Sequence, residues 1–320
     1  MKKIALIYMG GTFGCIGEPL SPMPAHDFIP KLKKVLPIHL NIECFIAPVI
    51  KDSSACTPSD WLKLIQFIQN LQLQNFQHFV IIHGTDTLSY ASAILAQCLG
   101  QSAYVVLTGS QYPLLTVDAQ NTREFTDALE NLNFALDSIM HVSVGVYLAF
   151  HHQLIHAQTA LKRHTTDLNA FTGILAQNSI SSIEHVLIVK DSHIEKAKQF
   201  NCQNWMLQPS DPSALLFNLN NLLSHPPSCL ILQGFGTGNI STNTEIIDIL
   251  QKLKEKNCPV ILTTQVPFGS IDQRYAISQW IQTSKILVSN ALSHADLYAK
   301  SLKMYLKYDT VDQWIEHWND

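Results

Sequence analysis

The chain has 320 residues, 47% of them hydrophobic, and a formal net charge of -4. It shows no basic stripe, no RNP-like aromatic patch and no zinc-finger spacing, so nucleic acid is not expected as a partner. No stretch approaches the roughly 20 uncharged apolar residues that span a bilayer, which argues against a membrane role.

The length points to two domains of ordinary size. Charged residues make up only 14% of the chain, against a usual share of about 25%. A surface so poor in charge is weakly repelled by its own copies, which favours an oligomer. The start, Met1-Lys2-Lys3 before an apolar run from Ile4 to Met9, is too short for a signal-peptide core and lacks a small-x-small cleavage site. We therefore expect a first strand and a cytoplasmic location. The seven cysteines are scattered, odd in number and without a CxxC pair. That pattern reads as reduced thiols, most of them buried.

Strands are expected at 4–9, 40–47, 78–83, 103–108 and 142–149, with helices near 26–36, 58–73, 88–99 and 119–137. The helix after Thr57 has the clearest pattern: Thr57 can cap it and Pro58 takes the first helical position. Trp61, Leu64, Ile65, Ile68 and Leu71 then form one apolar face. Strands alternating with helices imply an α/β fold with a mostly parallel sheet covered on both sides. The pattern breaks over 191–212, read as a linker. A catalytic domain over 1–190 and a smaller α/β domain over 213–320 follow. The second domain is expected to have helices near 213–223 and 242–256 and strands at 229–235 and 259–264.

In a parallel sheet, ligands bind beyond the carboxyl ends of the strands. Gly10-Gly11-Thr12 follows the first strand, and Asp52, Ser53 and Ser54 follow the second. His83-Gly84-Thr85-Asp86-Thr87 follows the third, and Thr108 to Gln111 the fourth. Every end offers hydroxyls and two offer carboxylates, a set suited to covalent hydrolysis. A threonine hydroxyl becomes nucleophilic when a base takes its proton, and glycines before it let substrate approach the backbone. Backbone N–H groups at the following helix start can stabilise an oxyanion.

These residues carry a family resemblance. The blocks "MGGTFG" (9–14), "DSSACTPSDW" (52–61), "IIHGTDTLSYAS" (81–92) and "TGSQYPL" (108–114) resemble the signature blocks of L-asparaginases, most of all the bacterial cytoplasmic type I enzymes. "LKRHTTDLNAF" (161–171) and "LILQGFGTGNI" (230–240) extend the match in order along nearly the whole chain. The resemblance implies hydrolysis of the side-chain amide of L-asparagine, a small-molecule substrate, with neither cofactor nor metal, by a homodimer or homotetramer. It implies Thr12 as nucleophile, a Thr85-Lys162-Asp86 group as its partner, and substrate contacts from Ser53 and Ser54, with Asp52, Gly11 and Gly84 around them.

Other readings of single motifs are weaker. "MGGTFGCIG" reads GGxxGxxG, not the GxGxxG of a dinucleotide loop. His151, His152 and His156 lie in an expected turn and strand, which does not gather side chains on one face. Residues 13–23 are expected to form a lid. Family members usually carry a tyrosine there, yet none occurs between Tyr8 and Tyr90, and Leu20 or a neighbour takes its place. Tyr112, after the fourth strand, is the substitute to examine. Two alternatives to a dedicated asparaginase thus stay open: a broader asparagine/glutamine amidase, and a weakly active asparagine-binding sensor.

Overall fold

An unbroken apolar run opens the fold as β1 (Lys3–Tyr8), buried from Ile4 onward, as expected of a strand covered on both faces. The computed structural model describes residues 2–267, 269, 271–272 and 279–320. After β1 come a short hairpin of β2 (Cys15–Ile16) and β3 (Ser21–Pro22), then α1 (Ala25–Lys34), β4 (Asn41–Ile46) and α2 (Pro58–Gln72). Next are β5 (His78–Ile82), α3 (Leu88–Leu99), β6 (Tyr104–Thr108), α4 (Ala128–His141) and β7 (Gly145–Phe150). The short strands β8 (Gln153–His156), β9 (Leu161–Lys162) and β10 (Phe171–Thr172) follow, then α5 (Asp191–Ala197).

The main sheet runs β4-β1-β5-β6-β7-β8. All pairs are parallel except β7 with β8. The chain moves outward from β1 to β4, then crosses back over β1 to β5. The strand order therefore reverses beside β1, which makes the carboxyl ends of β1, β4 and β5 the natural crevice of the sheet. The core on one face joins Leu6, Tyr8, Phe13, Phe28, Leu132 and Leu136. α2 begins where expected. Pro58 supplies a fixed φ at the first turn, while Thr57 and Asp60 form a reciprocal capping box.

One helix is displaced from its expected place. α4 starts at Ala128, not near 119. Residues 115–123 fold back on themselves instead: Leu115 bridges Thr122, and Thr116 N–H donates to Asn121 O at 2.9 Å. Asp127 then gives its carboxylate to the backbone of the preceding loop. Polar side chains captured the backbone before the helix could.

The chain divides into two units, Met1–Lys198 and Gln199–Asp320. The stretch 191–212 is structured where a linker was expected. α5 anchors to α2 through Gln66 Nε2 donating to Asp191 Oδ1 at 2.9 Å. β11 (Cys202–Met206) is the edge strand of the second sheet. Its sequence CQNWM is only partly buried, so it has no continuous apolar run to announce it. The second unit continues with α6 (Pro212–Leu222), β12 (Cys229–Gly234), α7 (Thr244–Glu255), β13 (Val260–Thr264), α8 (Gln279–Ser284), β14 (Leu287–Val288), α9 (His294–Lys307) and α10 (Val311–His317). Its sheet order is β11-β12-β13-β14, all parallel. No helix among the described residues is long and apolar enough to cross a membrane.

Candidate active site

The loops after β1, β4 and β5 meet backbone to backbone. Gly10 and Gly11 both have positive φ, 95° and 88°, which L side chains avoid. A Cβ on Gly11 would lie 2.4 Å from Gly84 Cα, and a Cβ on Gly84 would lie 2.5 Å from Ser53 Oγ. Gly11, Gly84 and Ser53 thus form one seam with no room for another atom. Thr12 follows Gly11 and Thr85 follows Gly84 directly in the chain, so both threonines adjoin this seam.

Thr85 is buried, and its Oγ1 accepts a hydrogen bond from Lys162 Nζ at 2.9 Å. The same ammonium lies 3.3 Å from Asp86 Oδ1. Lys162 comes from β9, held by antiparallel pairing to Phe171 on β10. Its side chain is 21% exposed and that of Asp86 59% exposed, so the lysine is largely withdrawn from water while its counter-charge is not. Thr85 Oγ1 also faces Gln111 Oε1 at 3.5 Å, and Gln111 Nε2 donates to the carbonyls of Thr165 and Asp167. The adjacent residues Thr85 and Asp86 and the distant Lys162 form one bonded group.

Thr12 heads a one-turn 3-10 helix, Thr12–Gly14. Its hydroxyl makes no hydrogen bond among the described residues. The hairpin after it is tied by Met23 N–H to Gly14 O at 3.0 Å and by Leu114 N–H to Phe13 O at 3.0 Å. Leu20 is exposed at its tip. The ring of Tyr112 packs edge-on to Phe125, centroids 5.6 Å apart, and makes no bond to Thr12. Tyr8 lies beneath the turn. Its Oη would sit 1.9 Å from a Cβ on Gly14, and burial raises its phenol well above the ordinary value.

The substrate-contact candidates on the β4 loop form a compact turn. Asp52 Oδ1 accepts from Ser54 N–H at 2.8 Å and from Ser54 Oγ at 2.5 Å. These bonds hold its carboxyl below the ordinary carboxylate range. Ser54 is exposed and Ser53 buried. Thr87 Oγ1 donates to Ser53 O at 2.7 Å and links this turn to the β5 loop.

Three supporting groups are not evident from the sequence. Lys51 Nζ lies 2.6 Å from Asp60 Oδ2, which also accepts from Thr57 N–H and Thr57 Oγ1. Burial pushes the Asp60 carboxyl up, but the Lys51 and Thr57 bonds outweigh it and leave the value below normal. Asp60, at the third helical position after Thr57, was the available signal, as half of a capping box. The second group is Asp127. It accepts from the N–H groups of Gln111 and Tyr112, and Asn131 Nδ2 bonds both Asp127 and Gly109 O. Burial raises the Asp127 carboxyl despite these bonds. The third is His83. It is completely buried, receives Trp61 Nε1–H on Nε2 at 3.1 Å and bonds Gly84 O through Nδ1 at 2.8 Å.

Burial lowers the His83 imidazole to about 4, below its unfolded value of about 6.5. The unfolded chain therefore takes up this proton first. Above pH ~6.5 the group has no effect on stability. As pH falls from 6.5 to 4 it destabilises progressively, by about 3 kcal/mol in all. Urea unfolding at pH 7, 5.5 and 4 should show the wild type losing about 3 kcal/mol more than a His83→Asn variant, which has no imidazole to protonate. Equal losses would show that His83 is not held neutral.

The histidines of "HHQLIH" fall on the turn and strand expected. His156 Nε2 bonds Asn178 O at 2.7 Å. His152 Nε2 lies 3.9 Å from Glu130, an acidic neighbour that the sequence had not suggested. Among the described residues no group of three His, Cys, Asp or Glu side chains is placed to hold a metal.

Residues 3–195 match the family model of the asparaginase N-terminal domain, and residues 215–312 that of the glutaminase/asparaginase C-terminal domain. The chain belongs to the asparaginase family. It is 24% identical over 314 residues to L-asparaginase 1 of Escherichia coli K12, covering 92% of this chain and 86% of that one. It is 26% identical over 305 residues to a glutamyl-tRNA(Gln) amidotransferase component from Nanoarchaeum equitans, covering 88% of this chain and 73% of that one. The crystal structure of a probable cytoplasmic L-asparaginase from Campylobacter jejuni superposes with a TM-score of 0.75 at 19% identity, covering 99% of this chain and 98% of that one. That likeness fixes the asparaginase fold.

Proposed function

We propose that this protein hydrolyses the side-chain amide of free L-asparagine to L-aspartate and ammonia, as a cytoplasmic homo-oligomer that needs no cofactor. The observation that carries the reading is the Thr85-Lys162-Asp86 group beside the Gly11–Gly84 seam, from which Thr12 also emerges. A nucleophile needs a base and a nearby place for developing charge, and this crevice supplies the side chains for both. Family membership and the 24% identity to an L-asparaginase support the substrate class.

In this reading Thr12 Oγ1 attacks the amide carbon. The amide nitrogen takes up the hydroxyl proton as the C–N bond breaks, which releases ammonia and leaves an ester on Thr12. Water then adds to the ester carbon. Lys162, as the neutral amine, takes the water's proton through Thr85 Oγ1, and that proton returns to Thr12 Oγ1 as the ester opens to aspartate. Asp86 keeps Lys162 in place, while Asp52, Ser53 and Ser54 take the amino-acid end of the substrate. Asparagine and glutamine differ by one methylene, which a pocket typically separates by about 1–3 kcal/mol, so some glutaminase activity accompanies the reaction.

Thr12→Ala should lower ammonia release from asparagine by about 10³-fold or more while asparagine still binds by calorimetry. Normal turnover in that variant would rule Thr12 out. A second reading, a weakly active asparagine-binding sensor, is favoured by one observation: no tyrosine lies between Tyr8 and Tyr90, and the Thr12 hydroxyl has no partner in its own loop. Wild-type protein that binds asparagine without releasing ammonia, over a wide concentration range, would support the sensor.

A further inference from the structure

His83 is the last residue before the Gly84-Thr85-Asp86 segment, and its surroundings fix its chemistry. An indole N–H only donates. Because Trp61 Nε1 lies 3.1 Å from His83 Nε2, that ring nitrogen must accept and carries no proton. The proton therefore sits on Nδ1, 2.8 Å from Gly84 O, which can only accept. Both contacts are satisfied together by one tautomer and by no other protonation state.

The backbone of His83 is equally constrained. His83 N–H donates to Thr108 O at 2.9 Å, and a Cβ on Gly109 would lie 2.4 Å from His83 O. The imidazole is thus a fixed point, tied to β6 through its backbone and to α2 through Trp61. From there it holds the Gly84 carbonyl. A trans peptide is planar, so the direction of a carbonyl sets the direction of the next N–H. The Thr85 N–H consequently points away from the ring, and it makes no hydrogen bond among the described residues.

We propose that His83, locked as its Nδ1–H tautomer by Trp61, is a positioning residue of the candidate site: it sets the plane of the Gly84–Thr85 peptide and so aims the Thr85 N–H and hydroxyl. For its effect on turnover the proposal rests on the asparaginase reading above. Its structural part stands apart from that reading.

Two measurements test it. The first needs no substrate. In protein labelled with ¹⁵N-histidine, the His83 ring should show a single neutral state at pH 7 with the proton on Nδ1. Trp61→Phe should abolish that exclusive tautomer. The Thr85 amide resonance should move in His83→Phe and stay near its wild-type position in His83→Asn, because the asparagine Nδ2–H can occupy the place of Nδ1–H. A proton on Nε2, or a Thr85 amide that ignores both variants, would overturn the proposal even if asparagine is hydrolysed.

The second measurement is turnover. His83→Phe should lower kcat about 100-fold with KM changed less than about threefold, and His83→Asn should recover activity to within about tenfold of wild type. Equal losses in the two variants, with equal thermal midpoints, would overturn a positioning role. If His83→Phe does not fold, Trp61→Phe carries the same test: its kcat should fall while KM holds. Wild-type protein inactive on asparagine but with the expected ring and amide resonances would count against the asparaginase reading and leave the positioning of Thr85 intact.

Discussion

Replacing Lys162 by methionine should reduce kcat for asparagine hydrolysis by about 10³-fold and leave the fold almost unchanged. Lys162 Nζ lies within 3 Å of Thr85 Oγ1 and as the neutral amine can take a proton and return it, and positioned acid–base groups are typically worth 10²–10⁴-fold. Removing it leaves Thr85 Oγ1, among the described residues, with the long contact to Gln111 alone. The stability cost is small, because the partner carboxylate of Asp86 is more than half exposed and exposed ion pairs contribute about 0–1 kcal/mol. Lys162→Arg should not rescue turnover, since a guanidinium keeps its proton at neutral pH. Steady-state ammonia release, with circular dichroism and thermal unfolding as fold controls, checks both variants. A methionine variant within tenfold of wild type would remove Lys162 from the chemistry.

Gly11→Ala should destabilise the N-terminal unit by about 3 kcal/mol and abolish measurable activity. Two costs add. An L residue at φ 88° and ψ 179°, a region essentially reserved for glycine, pays roughly 1–3 kcal/mol. The new methyl also meets backbone, Gly84 Cα at 2.4 Å and Gly84 N at 2.6 Å, so no side chain can swing aside, and overpacking of this kind costs about 1–3 kcal/mol. Gly17→Ala is the control. Its φ is also positive, 81°, but its nearest neighbour is Pro19 O at an ordinary 3.5 Å, so only the first cost applies and about 1 kcal/mol is expected. Urea unfolding of the two variants separates the terms. If Gly11→Ala were no worse than Gly17→Ala, the seam would have slack and the close contact would not be what positions Thr12 and Thr85.

The main elements of the N-terminal unit were legible because their signals are local. The β1 run is apolar at every position, and α2 carries a cap, a proline and an apolar face within a few residues of one another. Elements failed to show where the deciding contacts were remote or the pattern weak. α4 starts late because Asp127 is taken up by the N–H groups of Gln111 and Tyr112, fifteen and more residues earlier. β11 is an edge strand whose half-buried residues have neither an apolar run nor strict alternation.

The candidate site divides in the same way. The sequence by itself determined which residues stand at the strand ends: Thr12, the Asp52–Ser54 turn and Thr85-Asp86. It did so because strand runs, glycines and hydroxyls are contiguous in the chain. Nothing local in the chain sets Lys162, 77 residues beyond Thr85, at its hydroxyl: the family resemblance implied the group, and the tertiary structure shows the bond. Only the tertiary structure set Gly11 against Gly84 and joined Trp61 to His83, 22 residues apart, to close the tautomer lock. Those contacts follow from strand order. Periodicity reports which face of an element is buried and is silent on which element lies next to it. The reversal at β1, set by β4 and β5 pairing on its two sides, converted separate motifs into one crevice.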